Sequence, residues 1–196
     1  SAVSVTVNNI VIVGDPSPGS GNYTCSRTIS AGTTGVIAPK TGEVVCFQRG
    51  TTYNNIRVVS GASTFTVGAT GTGLRPILDG AGAASVINVS GTGVNIYDIT
   101  VQNTTYGIDV SDAGKNIVID NVEALKNIHG MRLGAGSGHV VSNCSLHDNS
   151  QNGIVFDSDN ATKLRETKYS YDGLPYGDPP TKGDITQEEK FLQGGT

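Results

Sequence analysis

The sequence lacks the features that mark several common classes of protein. It has no tryptophan and one methionine, only 15% of its 196 residues are charged, and no apolar run approaches the roughly 18 residues of a membrane span. Thirteen basic and seventeen acidic residues are scattered along the chain and leave a net charge of −4, which argues against a nucleic-acid-binding surface. The first seven residues have neither a basic region nor a long apolar core, so we expect no signal peptide there.

The chain is instead rich in glycine and contains a repeat. Three of its 27 glycines, Gly107, Gly130 and Gly153, are 23 residues apart, and each opens a Gly-apolar-X-apolar tetrad. A second apolar segment returns after each of the first two tetrads, at residues 116–122 and 139–144. A fixed period in the low twenties built from short alternating strands is typical of a solenoid.

The same pattern, more diverged, extends back to Val44. Roughly five or six coils fit between Val44 and Phe156, each stacked about 4.8 Å above the last. The strands are too short and too rich in β-branched residues for the helices of an α/β repeat. A β-sandwich with evenly spaced strands is the alternative, but a sandwich does not require side-chain roles to repeat every 23 residues.

Composition divides the chain into three parts of one structural domain. Residues 1–40 are predicted to form N-terminal strands, residues 41–160 the coils, and residues 161–196 a charged C-terminal tail. In the tail, Asp184 precedes residues 185–193 and then Gly194, a pattern that predicts a short helix with an N-cap and a glycine stop.

Both ends of a solenoid expose unpaired strand edges and must be covered. The tail is predicted to cover the C-terminal end and the N-terminal strands the other end. The alternative for Ser1 to Val13 is pairing with a neighbouring subunit, which would build an end-to-end fibre.

Three cysteines are spaced in a way that the coils explain. Cys25 and Cys46 are 21 residues apart, about one coil, so they can stack and form a disulfide in an oxidising compartment. Cys144 takes the place of an inward apolar residue and is predicted to be a buried free thiol.

Residues 40–160 resemble secreted right-handed parallel β-helix proteins of the pectate-lyase-like superfamily. The resemblance is carried by residues 41–50, by residues 68–80 and by the asparagine-rich coils that run to Phe156. It implies a right-handed parallel β-helix that is secreted or displayed at the cell surface. It implies no single activity, because the same coils serve lyases, epimerases, hydrolases, phage tailspikes and non-catalytic surface proteins.

The resemblance also implies where an active groove would lie, along one parallel sheet lined by the outward residues of successive tetrads. That column reads Asn88, Asp109, Arg132 and Val155, with His129 beside it. If the protein is an enzyme, Arg132, Asp109 and His129 are the candidate catalytic residues and Asn88 a candidate substrate-binding residue. The alternative is a solvated Asp109–Arg132 ion pair across neighbouring strands.

Other candidate binding residues lie towards the C-terminus. Asp157 and Asp159 carry oxygen ligands suited to calcium, the one cofactor that the sequence suggests, although the rest of a calcium-loop pattern is missing. Three tyrosines of the tail can stack on sugar rings or pack the cap: Tyr169, Tyr171 and Tyr176. His139 and His147 are predicted to be surface or turn residues.

These observations favour an extracellular structural or surface β-solenoid that is non-catalytic, contacts glycans and can assemble end to end into a fibre. A small lyase or epimerase acting on uronic-acid polymers is the alternative, either complete or as a fragment of a larger enzyme. Expected partners are other copies of the chain and polysaccharide, with no nucleic acid and no membrane span.

Overall fold

Short segments rich in valine and isoleucine, separated by glycine and asparagine, form strands throughout the structure. The structure, a computed structural model, describes residues 3–7, 10–14, 23–156, 165–171 and 185–192, with side chains described for 23–156. The chain divides into two compact units, Ser1–Asp159 and Asn160–Thr196. The described strands are, in chain order, β1 (Val3–Val7), β2 (Ile10–Gly14), β3 (Arg27–Ile29), β4 (Gly35–Ile37), β5 (Val44–Gln48), β6 (Thr52–Asn54), β7 (Ile56–Ser60), β8 (Thr66–Thr70), β9 (Ile77–Asp79), β10 (Ser85–Val89), β11 (Asn95–Tyr97), β12 (Thr100–Gln102), β13 (Tyr106–Val110), β14 (Val118–Asp120), β15 (Glu123–Leu125), β16 (His129–Leu133), β17 (Val140–Ser142), β18 (Ser145–His147), β19 (Ile154–Phe156), β20 (Arg165–Tyr171) and β21 (Ile185–Leu192).

Three parallel sheets form the walls of the first unit. Sheet A contains β3, β5, β8, β11, β14 and β17, sheet B contains β4, β7, β10, β13, β16 and β19, and sheet C contains β6, β9, β12, β15 and β18. Hydrogen-bonded neighbours come from successive coils, and each complete coil passes through sheets A, C and B in that order. About five complete coils run from β5 to β19, so the predicted parallel β-helix is confirmed.

A two-residue corner, whose first residue has positive φ, turns the chain from sheet A to sheet C in the last three coils. Asp98, Asn121 and Asn143 occupy this corner with φ values of 56°, 54° and 50°. Side chains other than those of glycine, asparagine and aspartate rarely adopt this left-handed conformation. The corner therefore recurs with the period of the coil and explains why asparagine is frequent in the repeat.

Two of the repeated glycines, Gly107 and Gly130, lie where the backbones of neighbouring coils leave no room for a side chain. A Cβ atom at Gly107 would lie 2.6 Å from the carbonyl oxygen of Gly130, and one at Gly130 would lie 2.5 Å from that of Gly153. The same positions adjoin a ladder of polar side chains: Thr104 Oγ1 donates to Asn127 Oδ1 (2.9 Å), and Asn127 Nδ2 donates to Asn149 Oδ1 (3.2 Å). The 23-residue glycine period thus reflects contact between backbones and this ladder.

The core is a column of inward-facing apolar side chains enclosed by the three sheets. Its members are mostly β-branched residues from the sheet strands and are almost wholly buried. Tyr53 is also fully buried, and its hydroxyl donates to the carbonyl oxygen of Ile29 (2.8 Å) and accepts from the backbone N–H of Gln48 (3.0 Å). The polar atom of this large side chain is therefore satisfied inside the core.

The N-terminal strands lie at the opposite end of sheet A from the one expected. β2 pairs in parallel with β17, with Ile12 opposite Val141, and β1 pairs antiparallel with β2. They therefore extend the C-terminal edge of sheet A, and the expectation that they cover the N-terminal end is wrong. Both edges of the sheet offer the same unpaired backbone groups, so the sequence did not distinguish them.

The predicted helix at residues 185–193 is wrong. Residues Ile185–Leu192 form strand β21, which pairs antiparallel with β20. A helix of this length with a short apolar face is marginal by itself, whereas a partner strand satisfies the backbone groups along the segment. The aromatic and β-branched residues of β20 provide such a partner.

No helix long and apolar enough to cross a membrane is found among the described residues.

Candidate functional site

Sheet B brings the predicted column of outward residues together. The parallel register places Asn88 opposite Asp109 and Asp109 opposite Arg132, with Val155 next in line on β19. Because each strand belongs to a successive coil, residues more than 20 positions apart in sequence become direct neighbours. The column lies on the outer surface of the sheet, as its partly exposed side chains show.

Asp109, the central residue of this column, accepts hydrogen bonds from both of its neighbours. Arg132 Nε donates to Asp109 Oδ1 (2.6 Å), and Asn88 Nδ2 donates to Asp109 Oδ2 (2.9 Å). The Asp109 side chain is only 12% exposed and that of Arg132 27%, so the ion pair is partly shielded from water. Both carboxylate oxygens therefore have donors, and the hydrogen bond from the guanidinium is charge-assisted.

A second outward column runs beside the first. Tyr106 and His129 are opposite each other in the register of β13 and β16, and their rings stack with centroids 5.2 Å apart. Asn152 continues the column, with Nδ2 3.3 Å from His129 Nδ1. The guanidinium carbon of Arg132 lies 5.4 Å from the Tyr106 ring centroid, which joins the two columns through a cation–π contact.

Sequence reasoning missed Tyr106, although a signal for it was present. Tyr106 precedes Gly107 and His129 precedes Gly130, so the two aromatic residues occupy the same place in the 23-residue period. Extending the column analysis to the residue before each glycine would have paired them.

A separate cluster lies on the outer face of sheet C. His147 Nε2 is 3.1 Å from Glu123 Oε1, and His147 Nδ1 is 3.0 Å from Asp148 Oδ2. Hydrogen bonds to Glu123 and Asp148 raise the pKa of His147. Burial acts to raise the pKa of Glu123, but hydrogen bonds from His147 and Thr100 and the charge of Arg75 outweigh it, so the net effect lowers that pKa.

His139 does not lie at the surface as expected. It is wholly buried, and its Nδ1 accepts a hydrogen bond from the backbone N–H of Ile117 (3.4 Å). Burial lowers the pKa of His139 because the charged imidazolium is poorly solvated there. His139 and Val141 are both buried, while Val140 between them is only partly buried, so His139 is in phase with the inward residue of β17.

The three cysteines occupy different environments. Cys25 and Cys46 form a disulfide with Cα atoms 5.7 Å apart, which ties the segment before β3 to β5. Cys144 is a free, partly buried thiol that packs against the core. Burial raises its pKa to about 11, so the thiol is protonated and unreactive at neutral pH.

The remaining predicted residues lie outside the part of the chain whose side chains are described. Asp157, Asp159 and Tyr176 are outside the described residues, while Tyr169 and Tyr171 lie in β20 with only their backbone described. Within the described residues, no group of three or more histidine, cysteine, aspartate or glutamate side chains is arranged to hold a metal ion.

Comparison with known proteins agrees with this architecture. The family model described as "right handed beta helix region" matches residues 82–171. The fold of the chain is a right-handed parallel β-helix. No curated protein and no solved structure matches it. The family match covers the coils that contain the Asn88, Asp109 and Arg132 column, and the β-helix fold accounts for the alignment of that column without assigning it an activity.

Proposed function

We propose that this β-helix protein is an extracellular structural or surface solenoid that contacts glycans and has no catalytic activity. The observation that carries the proposal is the hydrogen-bonded column of Asn88, Asp109 and Arg132 on sheet B. The column uses its charged groups to join three coils, which is a structural role.

The chemistry of Arg132 supports the absence of catalysis. A general base must give up its proton, and an arginine does so only when its pKa is strongly lowered. The contact with Asp109 and the position over the Tyr106 ring both stabilise the positive charge instead. His129 is stacked on Tyr106 and bonded to Asn152, so it too has a structural contact on each side.

The disulfide supports an extracellular location. Disulfides persist in oxidising compartments and are rare in the cytosol of most organisms. The Cys25–Cys46 bond lies at the start of the solenoid, where it anchors the segment that precedes the first strand of sheet A.

A small lyase or epimerase acting on uronic-acid polymers is the second candidate. It is favoured by one observation, the presence of Asp109, Arg132 and His129 on neighbouring strands of one sheet face. A carboxylate, a cation and an imidazole in one place are a plausible set for binding a uronic acid and removing a proton.

Turnover on polyuronates separates the two candidates. We expect the purified chain to release no unsaturated or epimerised products from polygalacturonate or alginate, with or without calcium, and Arg132→Ala to change nothing in this assay. Arg57→Ala is the matched control, because Arg57 is also on sheet B but donates to the Ser85 carbonyl outside the column. Product formation that is lost in Arg132→Ala and kept in Arg57→Ala would establish the enzyme.

End-to-end assembly is the remaining part of the proposal. Among the described strands, β1 is the outermost strand at one edge of sheet A, and an outermost strand can pair with a strand of a second copy. Light scattering and negative-stain electron microscopy test this directly. Fibres that disappear when residues 1–13 are deleted support assembly, and a monomer at high concentration rules it out.

A further inference from the structure

A groove crosses the turns that lead from sheet C to sheet B, away from the charged column. It has a volume of about 580 Å³ and is open to solvent. Four successive coils contribute the equivalent part of their turn, so the groove spans about 14 Å along the solenoid. Its lining residues are Gly82, Asn103, Thr104, Thr105, Lys126, Asn127, Ile128, Asp148 and Ser150.

The floor of this groove is buried and hydrogen-bonded to neighbouring coils. Thr104 and Asn127 are buried and belong to the side-chain ladder that links the coils. Asn127 Oδ1 also accepts from the backbone N–H of Thr104 (3.2 Å), and Asn127 Nδ2 donates to the carbonyl oxygen of Val101 (3.3 Å). A site built on such a floor needs little reorganisation when a ligand binds.

The walls carry polar groups that the protein itself leaves available. Among the described side chains, no hydrogen bond or ion pair holds the Lys126 ammonium, the Thr105 hydroxyl or the Ser150 hydroxyl. This contrasts with sheet B, where the outward polar groups of the column bond to one another. Burial acts to raise the pKa of Asp79, but hydrogen bonds from Gln102, Ala81 and Asn103, together with the charge of Lys126, outweigh it and lower that pKa.

Lys126 occupies a backbone conformation that suits other residues better. The same corner of the neighbouring coils is held by Asn103 and Asp148, and all three residues have positive φ, at 60°, 56° and 52° in chain order. Asparagine and aspartate tolerate this conformation, whereas lysine is disfavoured in it. A lysine at this position reduces local stability, and such strain commonly marks a functional site.

The character of the lining indicates the class of ligand. Lys126 and Asp148 place one positive and one negative group in the same groove, which disfavours a ligand with a strong charge of either sign. Ile128 is 40% exposed and offers an apolar surface between the polar walls. A pyranose has apolar C–H faces and a rim of hydroxyl groups, and therefore matches a groove with apolar and polar portions.

We propose that this groove binds a short neutral oligosaccharide, with Lys126, Thr105 and Ser150 bonding its hydroxyl groups and Ile128 packing against a sugar face. The inference rests on the proposed glycan-contacting function and assigns that contact to a place. It puts the contact at the turns between sheets C and B, and not on sheet B or on the tyrosines of the tail.

Backbone amide NMR with defined trisaccharides tests the assignment. The probes are cellotriose, xylotriose and mannotriose, with trigalacturonate as the charged comparison. We expect at least one neutral probe to shift amide signals of residues 103–105, 126–128 and 148–150. The Lys126→Asn and Ile128→Ala variants should each bind that probe about tenfold more weakly, as expected when one important contact is lost.

Two matched variants and a stability measurement keep the test informative. Lys115→Asn removes an exposed lysine from a different turn, and Val36→Ala removes an exposed aliphatic side chain from sheet B, so both should bind like the wild type. Lys126→Asn should also unfold at the same or a higher temperature than the wild type, because asparagine suits the corner. Weaker binding by a protein that is no less stable cannot be attributed to misfolding.

Other results overturn the assignment in distinguishable ways. Amide shifts confined to sheet B or to the tail, tighter binding of trigalacturonate in the groove, or unchanged binding by both groove variants would each exclude this site while leaving a glycan-contacting function in place. The absence of binding by every probe at millimolar concentration would exclude the groove and also remove the support for glycan contact.

Discussion

At the scale of single residues, the histidines show how position in the coil determines chemistry. His139 and His147 are eight positions apart in the sequence, yet one is wholly buried and the other is exposed between two carboxylates. Burial lowers the pKa of His139, and the hydrogen bonds to Glu123 and Asp148 raise that of His147. The two imidazoles therefore affect stability in opposite directions as the pH changes.

The raised pKa of His147 predicts a pH-dependent contribution to stability. A group whose pKa is higher in the folded state stabilises the protein fully below its unfolded pKa, about 6.5 for histidine, and loses this effect as the pH rises through the folded pKa. We therefore expect His147→Gln to be less stable than the wild type near pH 6, and the difference to shrink towards about pH 8.5. Urea unfolding at the two pH values measures this.

The partner variant Glu123→Gln provides the control for this prediction. If the hydrogen bond from His147 to Glu123 causes the effect, His147→Gln should have a smaller pH-dependent effect in the Glu123→Gln background. A difference between wild type and His147→Gln that grows as the pH rises would contradict the assigned pKa direction.

At the scale of elements, the strands are too short to be stable alone and depend on contacts between coils. Most strands of sheets A and C are only three residues long. Tyr23 shows the same dependence outside the strands, because its ring stacks on the ring of Tyr97. The Tyr23 ring also packs on Gly68, where a Cβ atom would lie 2.3 Å from it. Neighbouring coils thus supply the partners that each short element lacks.

The Thr104–Asn127–Asn149 ladder is predicted to be a major contact between coils. Asn127→Ala removes the acceptor of Thr104 and the donor to Val101 in a site where Asn127 is only 3% exposed. Because this substitution leaves buried polar groups without partners, we expect it to lower the free energy of unfolding by about 2–4 kcal/mol. Denaturant unfolding should show this loss.

Asn152→Ala is the matched control for the ladder. Asn152 is exposed, and within the part of the chain that the structure describes its side chain hydrogen-bonds only to the partly exposed His129. Its removal should therefore change the unfolding free energy by less than about 0.5 kcal/mol. Equal losses in the two variants would show that the ladder has no special role.

At the scale of the whole molecule, stability is distributed along a nearly one-dimensional stack. Each coil contacts the coils before and after it, so the ends of the stack are the places where unfolding begins most easily. The disulfide between Cys25 and Cys46 lies at one end, and β2 pairs with β17 at the other. The disulfide ties the segment before β3 to the next coil, and β2 brings the N-terminal part of the chain to the last coil.

Reduction of the disulfide should lower the stability of the solenoid. The bond closes a loop with a sequence separation of 21 residues, and the loss expected for a loop of this size is about 3 kcal/mol. Thermal unfolding with and without a reducing agent measures the change. Cys144→Ala should respond to the reducing agent as the wild type does, because Cys144 forms no disulfide. Identical unfolding of the reduced and oxidised wild type would show that the bond contributes nothing.

The solenoid was predictable from the sequence because the repeat is a local pattern. Gly107, Gly130 and Gly153 recur at a fixed period, and a parallel coil converts that period into strand register. The alignment of Asn88, Asp109 and Arg132 follows from the same register. The segment at residues 185–192 was not predictable in this way, since its cap-like residues suit a short helix and its conformation depends on pairing with β20.

The sequence by itself determined the coils, their approximate number and the outward column of sheet B, because turn residues and alternating apolar residues act over a few positions. Only the tertiary structure decided which edge of sheet A receives β2, that Asp109 is bonded on both sides, and that the turns between sheets C and B form a groove. These features depend on distances between side chains and strands of different coils. Such distances are set by the stacking of the whole solenoid and not by any one repeat.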